Sequence, residues 1–245
     1  MKIQVKDLSF GYSETLLFNN FNAEFESSDR PLVILGPSGS GKTTLLKLLG
    51  GLLIPQSGKI TFDTPASAAV ADRIAFMFQE TRLLPWLTIL ENIAIPLEKD
   101  FGKEEAKKRA EHFLSLVSLE DKVNAYPAII SGGQAQRVSM ARAFAWPAPA
   151  LFMDEPFQSL DIPLRISLME LTLSLLKKEK RLLIIVCHDP REAIFLGQRV
   201  VILGKPGEGI VYDEIIDLNA EERVFGSGAA VKLEREMISF MGHGS

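Results

Sequence analysis

Residues 36–43 read GPSGSGKT and match the phosphate-binding pattern G-x-x-x-x-G-K-[ST] in full. Gly36, Gly39 and Gly41 let successive N–H groups turn inward around phosphate oxygens without Cβ clashes. Pro37, Ser38 and Ser40 complete the loop, and Thr44 follows on the helix start. Lys42 brings a mobile positive charge to β- and γ-phosphates, and Thr43 offers a hydroxyl to Mg²⁺. A helix starting near Lys42 adds its positive dipole end. With glycine at about 7% of residues, a chance match in a chain of this size is on the order of one in a hundred. The loop predicts nucleotide binding.

A second stretch, ALFMDEP (150–156), runs an apolar strand straight into two carboxylates. Such a strand end places Asp154 beside the Mg²⁺ shell and lets Glu155 point past the metal, where it holds an attacking water as general base. Alone, the pair would read as exposed acids at a strand end. Beside a full phosphate loop it reads as ATPase chemistry. A third stretch, ISGGQAQR (130–137), puts paired glycines before a helix, as where a backbone must approach something closely.

The elements that must position these residues alternate. Apolar alternation at 3–10 and 21–25 predicts an opening antiparallel ribbon. PLVILG (31–36) is a buried-strand run, followed by the helical KTTLLKLLGGL. KITF (59–62) and RIAFMF (73–78) read as strands, and from 82 to about 145 the pattern turns helical. KEEAKKRAEHFLSLVSL (103–119) sets Ala106, Ala110, Phe113, Leu114 and Val117 on one face. Strand signals return at 150–154, 182–187 and 199–203, and a short helix is expected at 231–241 in a polar tail. The expected fold is α/β: a phosphate-loop (RecA-like) core with an antiparallel β ribbon and a helical subdomain insertion. The expected boundaries are 1–81 and 148–215 for the core with its N-terminal β subdomain, 82–147 for the helical subdomain, and 216–245 for the tail.

Composition narrows the classes. A net charge of -4 gives no reason to expect bulk attraction to nucleic acid. No apolar run approaches the roughly 20 residues needed to span a bilayer. The N-terminus, MKIQVKDLSF, alternates like a strand rather than a signal peptide. The single cysteine, Cys187, reads as a small buried residue, with a reducing compartment as the default. A GTP switch would need a guanine-reading N-K-x-D motif, and none is present.

Taken in order, the phosphate loop, ISGGQAQR, LFMDEP, SLD (159–161) and CHD (187–189) resemble an ABC-transporter ATPase subunit over essentially residues 1–215. The resemblance implies a head-to-tail dimer around two Mg-ATP. Ser131, Gly132, Gly133 and Gln134 then serve the ATP held by the other subunit, while Ser131 also reads as an ordinary N-cap. It further implies that Tyr12 stacks on adenine, that Gln79 touches Mg²⁺ and links the core to the helical insertion, and that Asp161 communicates across the dimer. His188 becomes the switch histidine near the γ-phosphate, catalytic with Glu155 and Lys42.

FQETRLLPWLTILENIAIPL (78–97), EPFQSLD (155–161) and CHDPREAIFLGQRVVIL (187–203) look like the nitrate/sulfonate/taurine importer ATPases, a branch that includes thiamine-precursor systems. Glutamine at 134 departs from the methionine common after the glycines in that branch, and Ile130 stands where the family usually has leucine. The resemblance implies transmembrane permease partners, an indirect solute-binding protein, and a cytoplasmic site on the inner face of the membrane. Leu83, Leu84 and Trp86 read as permease contacts or as core packing. The alternative is a soluble ABC-type ATPase without a membrane partner, and the dimer could be of two identical copies or of sister chains.

Overall fold

The computed structural model describes residues 1–12, 15–63, 74–158, 160–179 and 181–242. Arg73 of the expected strand 73–78, and Ser159 of the quoted SLD, lie outside those residues.

β1 (Lys2–Phe10) pairs antiparallel with β2 (Phe18–Glu26) and with β4 (Ser57–Asp63), giving a three-stranded sheet ordered β2-β1-β4. The ribbon is as expected, with a second strand longer than 21–25 and a third strand added on the far side of β1. The larger sheet contains β3 (Leu32–Leu35), β5 (Ile74–Met77), β6 (Ala150–Asp154), β7 (Leu182–Val186), β8 (Arg199–Leu203) and β9 (Ile210–Ile215). Its order is β5-β6-β7-β3-β8-β9, all parallel except β9.

Helices cover one face of this sheet, and the small antiparallel sheet with one helix covers the other, so the central strands are apolar throughout. β3, β6 and β7 are buried at every position. Alternate residues of β3 face opposite layers: Val33 and Leu35 join the core beneath the helical stretch, while Leu32 and Ile34 join the core beneath the small sheet. Each such buried Leu, Ile or Val is worth roughly 1.5–3 kcal/mol over its exposed state.

α1 (Lys42–Leu49) follows β3 directly. Between β5 and β6 the chain forms α2 (Ile89–Phe101), α3 (Lys103–Leu116) and α4 (Gly132–Ala145), which pack on one another. The apolar face expected along 103–119 is the one that is buried: Ala106, Ala110, Phe113, Leu114 and Val117. Residues 82–88 are not helical, against the expectation. Pro85 removes a donor there, Arg82 sits at φ 45°, and Thr88 with Glu91 builds a capping box that starts α2 only at Ile89. The buried Asn92 side chain satisfies this turn, accepting from Leu84 N (2.7 Å) and donating to the carbonyls of Leu84, Leu87 and Thr88.

α5 (Ile162–Glu179) and α6 (Pro190–Leu196) connect β6, β7 and β8, and α7 (Gly228–Gly242) closes the described chain. α7 is longer than the expected 231–241 helix. Its Ala230 and Met237 are buried in the main core. The buried Arg223 fastens the approach to α7 by donating to the carbonyls of Ile194, Gly197, Ile216 and Leu218.

Candidate nucleotide site

Sheet order brings three loops together. β6, β7 and β3 are neighbours, in a register that pairs Asp154 with Val186 and Val186 with Ile34. The phosphate loop, the Asp154–Glu155 pair and the Cys187–His188 turn therefore emerge side by side at the carboxyl ends of adjacent strands, where open α/β sheets bind ligands.

They border a cleft of about 700 Å³. Tyr12, Ser38, Gly39, Gly41, Lys42, Thr43, Thr44, Gln79, Glu155 and His188 all line it. Gln158 also lines it and was not singled out from the sequence, although it stands in the quoted EPFQSLD; Gln79 Nε2 donates to its amide oxygen. Ser131, Gly132, Gly133, Gln134 and Asp161 do not line this cleft.

Within the loop, Gly36, Gly39 and Gly41 adopt φ of 151°, 80° and 94°. A Cβ at Gly36 would stand 2.6 Å from the Leu203 carbonyl oxygen, and one at Gly41 2.9 Å from Phe18 Cζ. Lys42 Nζ donates to the carbonyls of Gly36 (2.9 Å) and Pro37 (3.0 Å), folding the side chain back over the loop. Burial pushes its ammonium below the usual lysine range, opposed by the charge of Glu155. A buried cation held by two carbonyls is one that an incoming anion would stabilise. The start of α1 has the same need, because its N-cap Gly41 offers no side-chain acceptor. Ser40 Oγ is buried without a hydrogen-bond partner among the described residues. These features fit phosphate oxygens.

On the acid side, Thr43 Oγ1 donates to Asp154 Oδ1 at 2.8 Å. Burial raises the Asp154 carboxyl above its ordinary value, and the Thr43 hydrogen bond only partly offsets that. No group of three or more His, Cys, Asp or Glu among the described residues could hold a metal by itself. Two hard oxygens from Thr43 and Asp154 suit an ion that completes its shell with phosphate and water, as Mg²⁺ does.

Glu155 sits at φ 47°, in the left-handed region that costs a non-glycine residue on the order of 1–3 kcal/mol. Its N–H donates to the Val186 carbonyl (2.9 Å), and the next carbonyl, of Pro156, accepts from the buried Gln136 of α4. Held from both sides, the Glu155 carboxylate comes within 3.7 Å of His188 Nδ1. Tyr12 is mostly exposed, stands edge-on to Phe10 at 5.2 Å, and shares a 3.2 Å hydrogen bond with Thr44 Oγ1. Cys187 beside His188 is fully buried, which raises its thiol well above the usual value and keeps it protonated.

Ser131 is the N-cap of α4. Its hydroxyl accepts from Gln134 N (3.3 Å), while its N–H donates to Gln134 Oε1 (3.0 Å). A Cβ on Gly133 would collide with Leu164 Cδ2 at 2.6 Å, whereas one on Gly132 would meet nothing within 4 Å.

A mostly parallel sheet with a phosphate loop after a central strand and carboxylates at the end of the next strand but one defines a phosphate-loop nucleotide-binding protein. A family model described as ABC transporter matches residues 18–158. An aliphatic sulfonates import ATP-binding protein, SsuB, of Bacillus thuringiensis subsp. konkukian is 38% identical over 214 residues, covering 85% of this chain and 84% of the relative. The SsuB of Escherichia coli O6:H1 is 33% identical over 227 residues, covering 93% and 86%. A dimeric ATP-binding cassette solved in a post-hydrolysis state with ADP and Pi superposes with a TM-score of 0.75 at 31% identity, covering 89% of this chain and all of the other. The chain belongs to the ABC transporter family, and its class of enzyme is the ABC-type ATPase.

Proposed function

We propose that the chain is the ATP-hydrolysing subunit of an ABC importer, acting as a dimer beneath a separate membrane permease. The observation that carries this reading is the Thr43–Asp154 pair, which bridges the loop after β3 to the end of β6 across β7, beside the buried Lys42. In it, Lys42, the loop N–H groups of Ser38, Gly39 and Gly41 and the start of α1 hold the phosphates of ATP, with Tyr12 under the adenine. Thr43, Asp154 and Gln79 hold Mg²⁺, which when bound neutralises charge on the phosphate oxygens. Glu155 orients the attacking water and takes its proton on a carboxylate oxygen, while His188, across from it, contacts the terminal phosphate.

Ser131, Gly132, Gly133, Gln134 and Asp161 stand away from this cleft, which supports their serving the ATP of a second subunit. The dimeric form of the cassette solved with ADP and Pi supports a dimer. We read residues 82–147 as the helical unit that carries the motion, with 1–81 and 148–215 as the core and 216–245 as a tail. Gln79 joins the first two. The turn braced by Asn92 presents Trp86 and Leu84 to solvent, as a permease-facing surface requires, whereas Leu83 packs against the core. No helix among the described residues is long and apolar enough to cross a membrane, so attachment to the inner face would come through the permease. The relatives named for aliphatic sulfonate import favour a sulfonate as solute class, delivered by a separate binding protein.

Gentle solubilisation of native membranes and capture of the chain tests the importer reading. A stoichiometric multi-spanning partner is the expected result. Recovery of soluble proteins alone, across several detergents, would replace it with a soluble ABC ATPase.

A further inference from the structure

Arg165, on the first turn of α5, lies between two of the loops that carry functional residues. Its own N–H donates to the Asp161 carbonyl (2.9 Å), and its guanidinium Nη2 donates to the Leu160 carbonyl (3.1 Å). Its Nη1 faces Asp189 Oδ2 at 3.6 Å and Glu192 Oε1 at 3.5 Å, both on the turn that follows His188 and opens α6. The guanidinium is mostly covered, and the two carboxylates more so. Its Nε is buried with no hydrogen-bond partner among the described residues. A planar fork of five donors is suited to such a span, because it can hold a carbonyl on one edge and carboxylates on the other.

We propose that Arg165 is a positioning residue for hydrolysis, fastening the Leu160–Asp161 turn to the His188–Asp189 turn so that the two hold one relative placement. The proposal rests on the ATPase reading above. Among the described residues no other side chain ties the two turns together by an ion pair or hydrogen bond. Asp189 spends its hydrogen bonds on its own helix start, accepting from Arg191 N, Nε and Nη2. Asp161 caps α5 by accepting from Leu164 N. Arg165 thus sets where His188 stands relative to the turn that the dimer reading assigns to the partner subunit.

Glu192 makes this tie dependent on pH. Burial raises its carboxyl to about 7, reinforced by the nearby charge of Asp189 and opposed by Arg165. The groups facing it are Arg165 from α5, Asp189 and Arg191 from its own turn and helix, and Glu155 from the end of β6; Glu234 of α7 reaches it only through Arg191, at 3.9 Å. Ionised above its raised value, Glu192 anchors Arg165. As pH falls through about 7 it takes up a proton and that anchor is lost.

The test compares steady-state ATP hydrolysis by the full chain with its Arg165→Gln, Arg165→Lys and Glu192→Gln variants, after nucleotide binding and thermal unfolding are measured for each. Arg165→Gln is expected to lower kcat roughly 10- to 100-fold, the size that follows when a catalytic group is misplaced by about 1 Å, with KM for ATP within about twofold. Arg165→Lys should stay well below wild type, since one ammonium cannot reach the carbonyl and both carboxylates. If Arg165→Gln does not fold, Arg165→Lys and Glu192→Gln decide the matter. The ratio of wild-type to Glu192→Gln kcat should rise from near one at roughly pH 6 to several-fold at roughly pH 8. Full kcat in Arg165→Lys, or a wild-type to Glu192→Gln ratio that does not change with pH, would overturn the proposal. Failure of the ATPase reading shows separately: the wild-type chain would then hydrolyse no more ATP than Glu155→Gln.

Discussion

α1 and α4 both begin at glycine-rich motifs, yet their N-termini are finished in different ways. α1 starts behind Gly41, which offers no side chain to its free N–H groups and cannot be replaced without strain. α4 starts behind Ser131, whose capping box with Gln134 already satisfies the first turn. Every glycine of the phosphate loop is required by the chain's own backbone. Of the pair in α4, a Cβ on Gly133 would push against the tip of the Leu164 side chain, but among the described residues nothing stands against Gly132. The first motif therefore leaves its helix end open to an anion, and the second keeps an open glycine on a satisfied helix end. The difference fits one motif for the chain's own phosphates and another for those of a second subunit.

The largest break in that comparison comes at Gly41. Gly41→Ala forces a side chain into φ 94° and sets its Cβ 2.9 Å from the buried Phe18 ring. Unfolding free energy should drop by about 1–3 kcal/mol. Nucleotide affinity should fall at least roughly tenfold, since the N–H groups lose their inward turn. Denaturant unfolding reads the first, and calorimetric titration with a non-hydrolysable nucleotide reads the second. Wild-type affinity in a folded variant would show that the loop geometry does not hold the phosphates.

The phosphate loop was legible because its chemistry and its geometry sit in the same eight residues, and the carboxylates because they end an unmistakable apolar strand. The strand order that brings Asp154 next to the loop was not written locally, although alternating helices and strands announced a parallel sheet. β9 escaped notice because an edge strand reading VYDEI has little to bury. The helical pattern after residue 82 failed where tertiary contacts prevailed, at Pro85, Arg82 and the Asn92 brace eight residues beyond Leu84. Arg165 looked like any charged residue on a helix. Its meaning lies in a loop twenty-odd residues away in sequence that only folding brings near. Likewise nothing local in MDEP announces the left-handed backbone of Glu155.

Gly132→Ala sharpens the contrast, because it should separate stability from activity. The backbone there is helical and the space for a methyl group is open, so alanine should leave the isolated chain equally stable, or more stable by up to about 1 kcal/mol. Binding of one nucleotide per chain should be unchanged. Hydrolysis should nonetheless fall roughly tenfold, a loss of about 1.4 kcal/mol at the barrier, if another subunit's phosphate must approach that backbone. An unaltered turnover with unaltered stability would leave Gly132 a helix residue like any other and remove the main reason for a trans role.

The finest distinction falls on Ser131, where capping uses the hydroxyl as an acceptor and contact across a dimer would use it as a donor. As a cap it accepts from Gln134 N, and glycine at an N-cap costs only a few tenths of a kcal/mol, whereas alanine costs about 1. For a chain of this size a few tenths corresponds to a melting shift of about 1 °C. Ser131→Gly should therefore be nearly silent in thermal unfolding of the nucleotide-free chain. If the hydroxyl serves only the helix, hydrolysis should be as silent, since Gly132 and Gly133 remain in place. If it also faces a partner's phosphate, turnover should fall several-fold while the melting point stays put. The pair of measurements decides between the two because stability and turnover report on different partners of the same oxygen: one inside the chain, the other across the interface.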